Sequence, residues 1–270
     1  MSNLDDLSID VALEVEKDDP KIAIDFLLDN INLSKSRLKD TMNKGAVWLV
    51  RGEERQRLRR AMTDLKLGDQ VEIYYDHHYL SAKGHQARLL DDKEHYCVWF
   101  KPAGMLVDGI DWGDHQAFYR QLDLALKGRE SFYLQELVTE EAGLIILAHN
   151  RKTAARLNDL LEQGKFVAQL RLEIAGEMED VAGFEEDCQL KVLKNIGIRN
   201  IQRSKLLVSQ HHLETDTLRA WLKRAGHPVV GEEDVQEIDE AIYIPEIKLN
   251  LSQLEFPCPL TGEPQTYSAY

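Results

Sequence analysis

Cysteine is scarce: Cys97, Cys188 and Cys258 are the three in 270 residues, far apart and in no paired spacing. That pattern argues against a disulfide framework or a cysteine-based zinc site and suits reduced thiols in the cytoplasm. Long apolar runs are missing as well. No stretch approaches the ~20 residues a membrane span needs, and the opening MSNLDDLSIDVALEVEKDD is acidic where a secretory signal is apolar. No glycine-rich turn has the spacing of a phosphate-binding loop. The adjacent pairs His77-His78 and His211-His212 have no cysteine or carboxylate at a familiar ligand spacing, so they read as surface histidines and no metal is expected. Positive charge is in deficit, with a net charge of −14. Taken as an average, that argues against nucleic acid, whose phosphates need Lys and Arg.

What is present changes that reading. Hydrophobic residues make up 43% of the chain and aromatics 7%, enough for an ordinary buried core. The charge is also unevenly spread. Between Lys35 and Lys66 ten basic residues face four acidic ones, a local net of +6, so the remainder carries −20. A basic island in an acidic chain points to a polyanionic partner, the plainer alternative being a solvated helix face. The acidic remainder admits another reading, a scaffold that binds a basic protein partner.

Around the island the pattern is local and regular. PKIAIDFLLDN is a helix after a proline, and Ser34 is a good N-cap for a second helix, SKSRLKDTMNKG, which Gly45 ends. Lys35, Arg37 and Lys39 lie in its first turns, where cations oppose the helix dipole, so something other than helix stability favours them. AVWLV is a short strand, and LKLGDQVEIYY sets Val71, Ile73 and Tyr75 on one strand face after a Gly-Asp turn. This layout, with LSKSRLKDTMNKGAVWLVRG followed by LKLGDQVEIYY, resembles the small RNA-binding module named after ribosomal protein S-four. The resemblance covers residues 20–76 and implies an RNA-facing side carrying Lys35, Arg37, Lys39 and Lys44. Arg51 stands where the module's hairpin often has Asn, and it keeps the basic character. Residues 1–19 read as an N-terminal segment, and 77–94 as an exposed, polar linker.

From residue 95 onward the elements read as α+β. YCVWF, LIILA and VAQLRLEIAG are strands, and QAFYRQLDLALKG and RKTAARLNDLLEQG are helices. One polar loop among them, LQELVTEEAG, carries three glutamates but no Asp, Ser, Cys or Lys before its glycine. Four segments, YCVWFKPAGMLVDG, AGLIILAHNRKTAARLNDLLEQGKF, LRAWLKRAGHPVVGEED and LEFPCPLTGEP, follow the motif order of the RluA/RluD-type RNA pseudouridine synthases, which the chain resembles over most of its length. The resemblance implies a domain over 95–270 with a large mixed β-sheet. It also implies structured RNA, ribosomal or transfer, as partner, and no cofactor.

It implies a defect too. The family loop reads His-Arg-Leu-Asp-x-x-Thr-Ser-Gly-Leu. Aligned on Gly143-Leu144, Val138 takes the place of the essential aspartate, and a valine is neither nucleophile nor base. Aligned on Gly176, Leu170 takes the place of the tyrosine that packs on uracil. Of the Gly-Arg-x-His-Gln-Ile-Arg motif, here LETDTLR, Arg219 alone matches the family's signature, and in the family that arginine pairs with the aspartate. The resemblance thus suggests an RNA-binding pseudoenzyme, the alternative being an isomerase rescued by Glu140 or Glu141. Val138, Leu170 and Arg219 are expected in one cleft, with Arg219 turned to solvent or paired with Glu140, Glu141 or Asp216, because a buried guanidinium needs an anion.

Overall fold

The structure, a computed structural model, describes residues 7–135, 138–179, 188–198, 201–232 and 246–269. It divides into two compact units, one of residues 1–84 with 108–121 and one of 85–107 with 122–270.

In the first unit, β1 (Ser8–Glu14), α1 (Ala23–Asn30), α2 (Lys35–Asn43), β2 (Val47–Arg51), β3 (Glu54–Arg57), β4 (Gln70–Asp76) and α3 (His77–Ser81) follow in order. The strands form an antiparallel sheet in the order β1-β4-β2-β3. Alternation in β4 buries Val71, Ile73 and Tyr75. The helices lay Ile24, Phe26 and Leu27 of α1 and Leu38 and Met42 of α2 onto that face. Ser34 caps α2, its hydroxyl accepting from the Arg37 amide at 3.4 Å. Two expected boundaries differ. Residues 8–14, read as part of a terminal segment, pair along β4 from Ser8↔Asp76 to Glu14↔Gln70. Residues 77–94, read as a linker, contain α3, which buries Tyr79 and Leu80, and a strand of the second unit. Both stretches are polar enough to look solvated, yet each has one apolar side to bury.

The second unit begins with β5 (Arg88–Asp92) and β6 (Tyr96–Lys101); α4 (Phe118–Leu126) carries the chain back into it. β7 (Phe132–Tyr133), β8 (Ala142–Ala148), α5 (Arg151–Glu162), β9 (Val167–Ala175), β10 (Gln189–Ile198), β11 (Ile201–Gln210), α6 (Asp216–Arg224), β12 (Leu249–Pro257) and β13 (Pro264–Ser268) complete it. Among the described residues the sheet has nine strands, in the order β10-β11-β9-β12-β8-β6-β5 with β13 beside β12 and β7 beside β8. It is mixed, because β12 runs parallel to β8 while its other pairings are antiparallel. The expected α+β class with a large mixed sheet is therefore what the chain adopts. Its core gathers Tyr96, Leu144, Ile146, Leu170, Leu206, Leu254 and the stacked rings of Phe166 and Phe256, 4.9 Å apart.

The meeting of β8 and β12 is tight. A Cβ built on Gly143 falls 2.7 Å from the Leu251 Cβ and 3.0 Å from the Leu251 nitrogen, so glycine is there for space. A Gly143→Ala substitution is expected to push the strands apart and to destabilise the protein by about 1–3 kcal/mol. Denaturant unfolding of the purified variant checks it, and an unchanged midpoint would show that the strands do not depend on this approach.

Candidate active site

The loop expected to carry chemistry opens into a cleft of about 320 Å³ in the second unit. Its walls include Lys101 from the end of β6, Gln135, Val138 and Glu141 from the loop before β8, Thr215 from the start of α6, and Leu251 of β12. Glu136 and Leu137 lie outside the described residues.

Val138, aligned with the aspartate, stands in the cleft wall. Glu141 brings a carboxylate to the same cleft, and its side chain is 12% exposed. The Thr215 hydroxyl lies 2.8 and 2.9 Å from Glu141 Oε1 and Oε2, its one hydrogen shared between them, and Arg219 Nη1 donates to Oε1 at 2.9 Å. Arg219 Nη2 donates to Glu232 Oε1 at 3.2 Å, whereas Asp216 stays 3.8 Å away and largely exposed. The arginine is thus held between two acids. Glu141 was one of the partners considered from sequence; Glu232, thirteen residues beyond Arg219, was not, since nothing in its local pattern marks it. Glu140 contributes its backbone carbonyl to the Ile247 amide at 3.2 Å.

Leu170 departs from the expected single cleft. Alternation along β9 points Ala168, Leu170, Leu172 and Ile174 into the sheet core, where Leu170 is fully buried. It pairs in register with Leu251, the residue that does line the cleft.

Electrostatics at the site are set by burial. It pushes the Glu141 carboxyl above its usual range, although the Thr215 hydroxyl and Arg219 both favour the anion. Burial opposes the charge on Arg219 too, but the combined attraction of Glu141 and Glu232 outweighs it and holds the group above its usual value. Lys101 lies at the back of the cleft. Its ammonium donates to the carbonyls of Pro102 (3.0 Å), Met105 (3.3 Å) and Thr139 (3.0 Å), and burial lowers its pKa to about 8. Its bonds tie the loop before β8, through Thr139, to the segment that follows β6. Nothing in the segment YCVWFKPAGMLVDG marks Lys101 for this position. Gln135, aligned with the family's histidine, donates to the Leu144 carbonyl at 3.1 Å.

The histidine pairs hold local structure. His211 Nδ1 lies 2.9 Å from the Phe166 carbonyl, and Gln210 binds the carbonyls of His212 and Glu214 at 3.1 and 2.7 Å. His77 Nδ1 lies 3.4 Å from the Tyr75 hydroxyl. Of the basic residues singled out in the first unit, Lys35 and Lys39 are exposed and Arg37 is half-buried on α2. Lys44 instead donates to Asp40 and to the Leu80 carbonyl, both at 2.7 Å. Arg51 grips the buried Asp69 through bonds of 2.8 and 2.6 Å. Lys44 and Arg51 therefore serve the fold.

Replacing Arg219 with Met strands two buried carboxylates and is expected to cost about 3–5 kcal/mol at pH 7. The penalty should shrink on acidification. A carboxyl whose folded pKa is raised binds protons more readily folded than unfolded, so stability rises as pH falls through the window between the raised folded pKa and the unfolded one. Urea unfolding of the variant and wild type at pH 7 and 5.5 reads this directly. An equal difference at both pH values would mean that Glu141 is not left charged and without its partner.

No protein-family model and no curated protein matches the chain. Solved structures do. Human RNA pseudouridylate synthase domain containing 1 aligns over 68% of this chain and 83% of its own, with TM-score 0.51 and 16% identity. Human RNA pseudouridylate synthase domain containing 4 aligns over 67% and 87%, with TM-score 0.49 and 16% identity. A pseudouridylate synthase crystal structure covers 84% and 96% at TM-score 0.37 and 14% identity. At such identity the first of these establishes a likeness of fold: the chain is built like a pseudouridylate synthase domain.

Proposed function

We propose that this chain is an RNA-binding protein of the RluA-type pseudouridine synthase family whose cleft no longer isomerises uridine. One observation carries the reading. The cleft wall has Val138 where the alignment expects the reactive carboxylate, and Glu141, which lines the same cleft, is engaged by the Thr215 hydroxyl and by Arg219. A carboxylate whose oxygens are already taken up by these donors has little freedom to turn toward a sugar carbon. The pair repairs the charge balance around Arg219 without restoring the chemistry.

Binding is assigned to the first unit, read as an S-four-like module. Lys35, Arg37 and Lys39 project from α2, and structured RNA, ribosomal or transfer, is read through shape and phosphate contacts. No cofactor is needed for this role.

A second reading draws on the same carboxylate. Glu141 lines the cleft and pairs with Arg219, the arginine that in the family accompanies the aspartate. An isomerase acting through Glu141 would take a flipped uridine into the cleft. Catalytic groups tolerate misplacement of less than about an ångström, which disfavours a residue three positions displaced.

The two readings separate in one experiment. The protein is incubated with total RNA from a strain lacking its gene, and pseudouridine is mapped by carbodiimide-dependent reverse-transcription stops. The expected outcome is no new pseudouridine with RNA binding retained. A new site that disappears in Glu141→Gln would establish the isomerase. In parallel, a Lys35→Glu, Arg37→Glu, Lys39→Glu triple variant should bind RNA about 10- to 100-fold more weakly at 100 mM salt. The slope of log affinity against log salt should flatten by about 2–3. Unaltered affinity in that variant would remove α2 from the binding surface.

A further inference from the structure

The first unit holds a second basic surface, and it is already occupied. Residues 108–121, distant in sequence from the rest of that unit, form a strap across it. Ile110 and Gly113 exchange backbone hydrogen bonds of 3.0 and 2.9 Å, making a tight turn. Gly113 has φ +138°, and a Cβ there would sit 2.9 Å from the Lys44 carbonyl, so the strap lies flush against the end of α2. Ile110 and Trp112 pack onto the unit's core, with Trp112 edge-on to Tyr74 at 5.6 Å.

Between these apolar anchors the strap presents acids. Asp111 accepts from Arg55 at 2.9 Å, and Asp114 pairs with both Arg59 and Arg57, the latter at 3.4 Å. The guanidinium groups of Arg55 and Arg57 lie 4.0 and 4.2 Å from the centre of the Trp48 indole, whose Nε1 donates to the Asp111 carbonyl at 3.2 Å. A carboxylate between two arginines stands where the non-bridging oxygens of a phosphate fit, since both are anionic acceptors that match the planar guanidinium fork. An indole covered by guanidinium is likewise a stacking platform of the kind single-stranded bases use.

A strap needed only for stability would gain little from its outer pair. The Asp111 side chain is 46% exposed and that of Arg55 37%, and an exposed ion pair contributes little to folding. The same carboxylate is well placed to keep another anion away. We propose that residues 108–121 act as an internal competitor for RNA: Asp111 and Asp114 occupy on Arg55, Arg57 and Arg59 the positions that two RNA phosphates take when the strap is displaced. This deepens the RNA-binding reading above and rests on it.

The test uses the full chain and a fluorescein-labelled RNA stem-loop transcribed in vitro, titrated across salt by anisotropy. Asp111→Asn, Asp114→Asn is expected to bind about 10-fold more tightly than wild type. Its log affinity should fall more steeply with log salt, by about 2, as two phosphate contacts are gained. Adding Arg55→Gln and Arg57→Gln should abolish that gain. Should the double variant lose native tryptophan fluorescence, Asp111→Asn alone decides. Its exposed side chain can change while Ile110, Trp112 and Asp114 hold the strap, and about a 3-fold tightening is expected of one contact. Unchanged or weaker binding by a natively folded variant overturns the competitor. If in that case the α2 triple variant still loses affinity, the RNA-binding reading survives without it. Absence of RNA binding by wild type and every variant defeats both.

Discussion

A guanidinium taken out of water must have anions beside it, and Arg219 imposes that demand on the second unit. It is reached from three directions: Glu141 from the loop entering β8, Glu232 from beyond α6, and Thr215 through their shared partner Glu141. Removing one member of such a set leaves a charge without compensation, so the set persists or fails together. The Thr215 hydroxyl is spent on Glu141, and α6 begins without a side-chain cap from it. The carboxylate beside that helix start supplies a favourable charge instead. Lys101 ties the same loop, through the Thr139 carbonyl, to the segment after β6 whose Pro102 and Met105 carbonyls it also binds. Arg219 and Lys101 thus both hold the loop that lines the cleft.

That arrangement would let a cleft keep its walls after the loss of a reactive group. In the proposed reading, the aspartate's charge is replaced three positions along by Glu141, and Arg219 remains satisfied. The requirement met is electrostatic and local to the arginine. Catalysis asks more, because it needs a carboxylate aimed at the sugar within a narrow tolerance and free of competing donors. Structure can therefore survive a change that chemistry does not.

The first unit shows the same economy of charge with a different outcome. Its basic island is not a uniformly solvated face. Lys44 and Arg51 are drawn into the fold by Asp40 and Asp69, while Arg55, Arg57 and Arg59 meet the acids of residues 108–121. Arg37 and Lys39 have no ion-pair partner among the described residues. The charge pattern along the chain marks the island, but pairing in space sorts its members into those engaged by acids of the unit and those that are not.

Much of the architecture was legible because it rests on local rules. Alternation placed Val71, Ile73 and Tyr75 on a buried face, Ser34 announced α2, and the loop LQELVTEEAG was visible as a polar stretch running into a buried strand. The strand β1 and the helix α3 were not legible, since their half-apolar patterns acquire meaning only against β4 and the core they cover. At the cleft, the sequence by itself determined that Val138 could not act as base or nucleophile, a matter of side-chain chemistry. It also offered Glu140 and Glu141, beside the position aligned with the aspartate, and Asp216, close to Arg219 along the chain, as acids for that arginine. Tertiary structure decided which of them serves, brought in Glu232, and moved Leu170 from cleft to core. The physical reason is that ion pairs and strand faces depend on distance through space, and a mixed sheet such as this one brings residues 141, 219 and 232 together without leaving any periodic trace in the order of the amino acids.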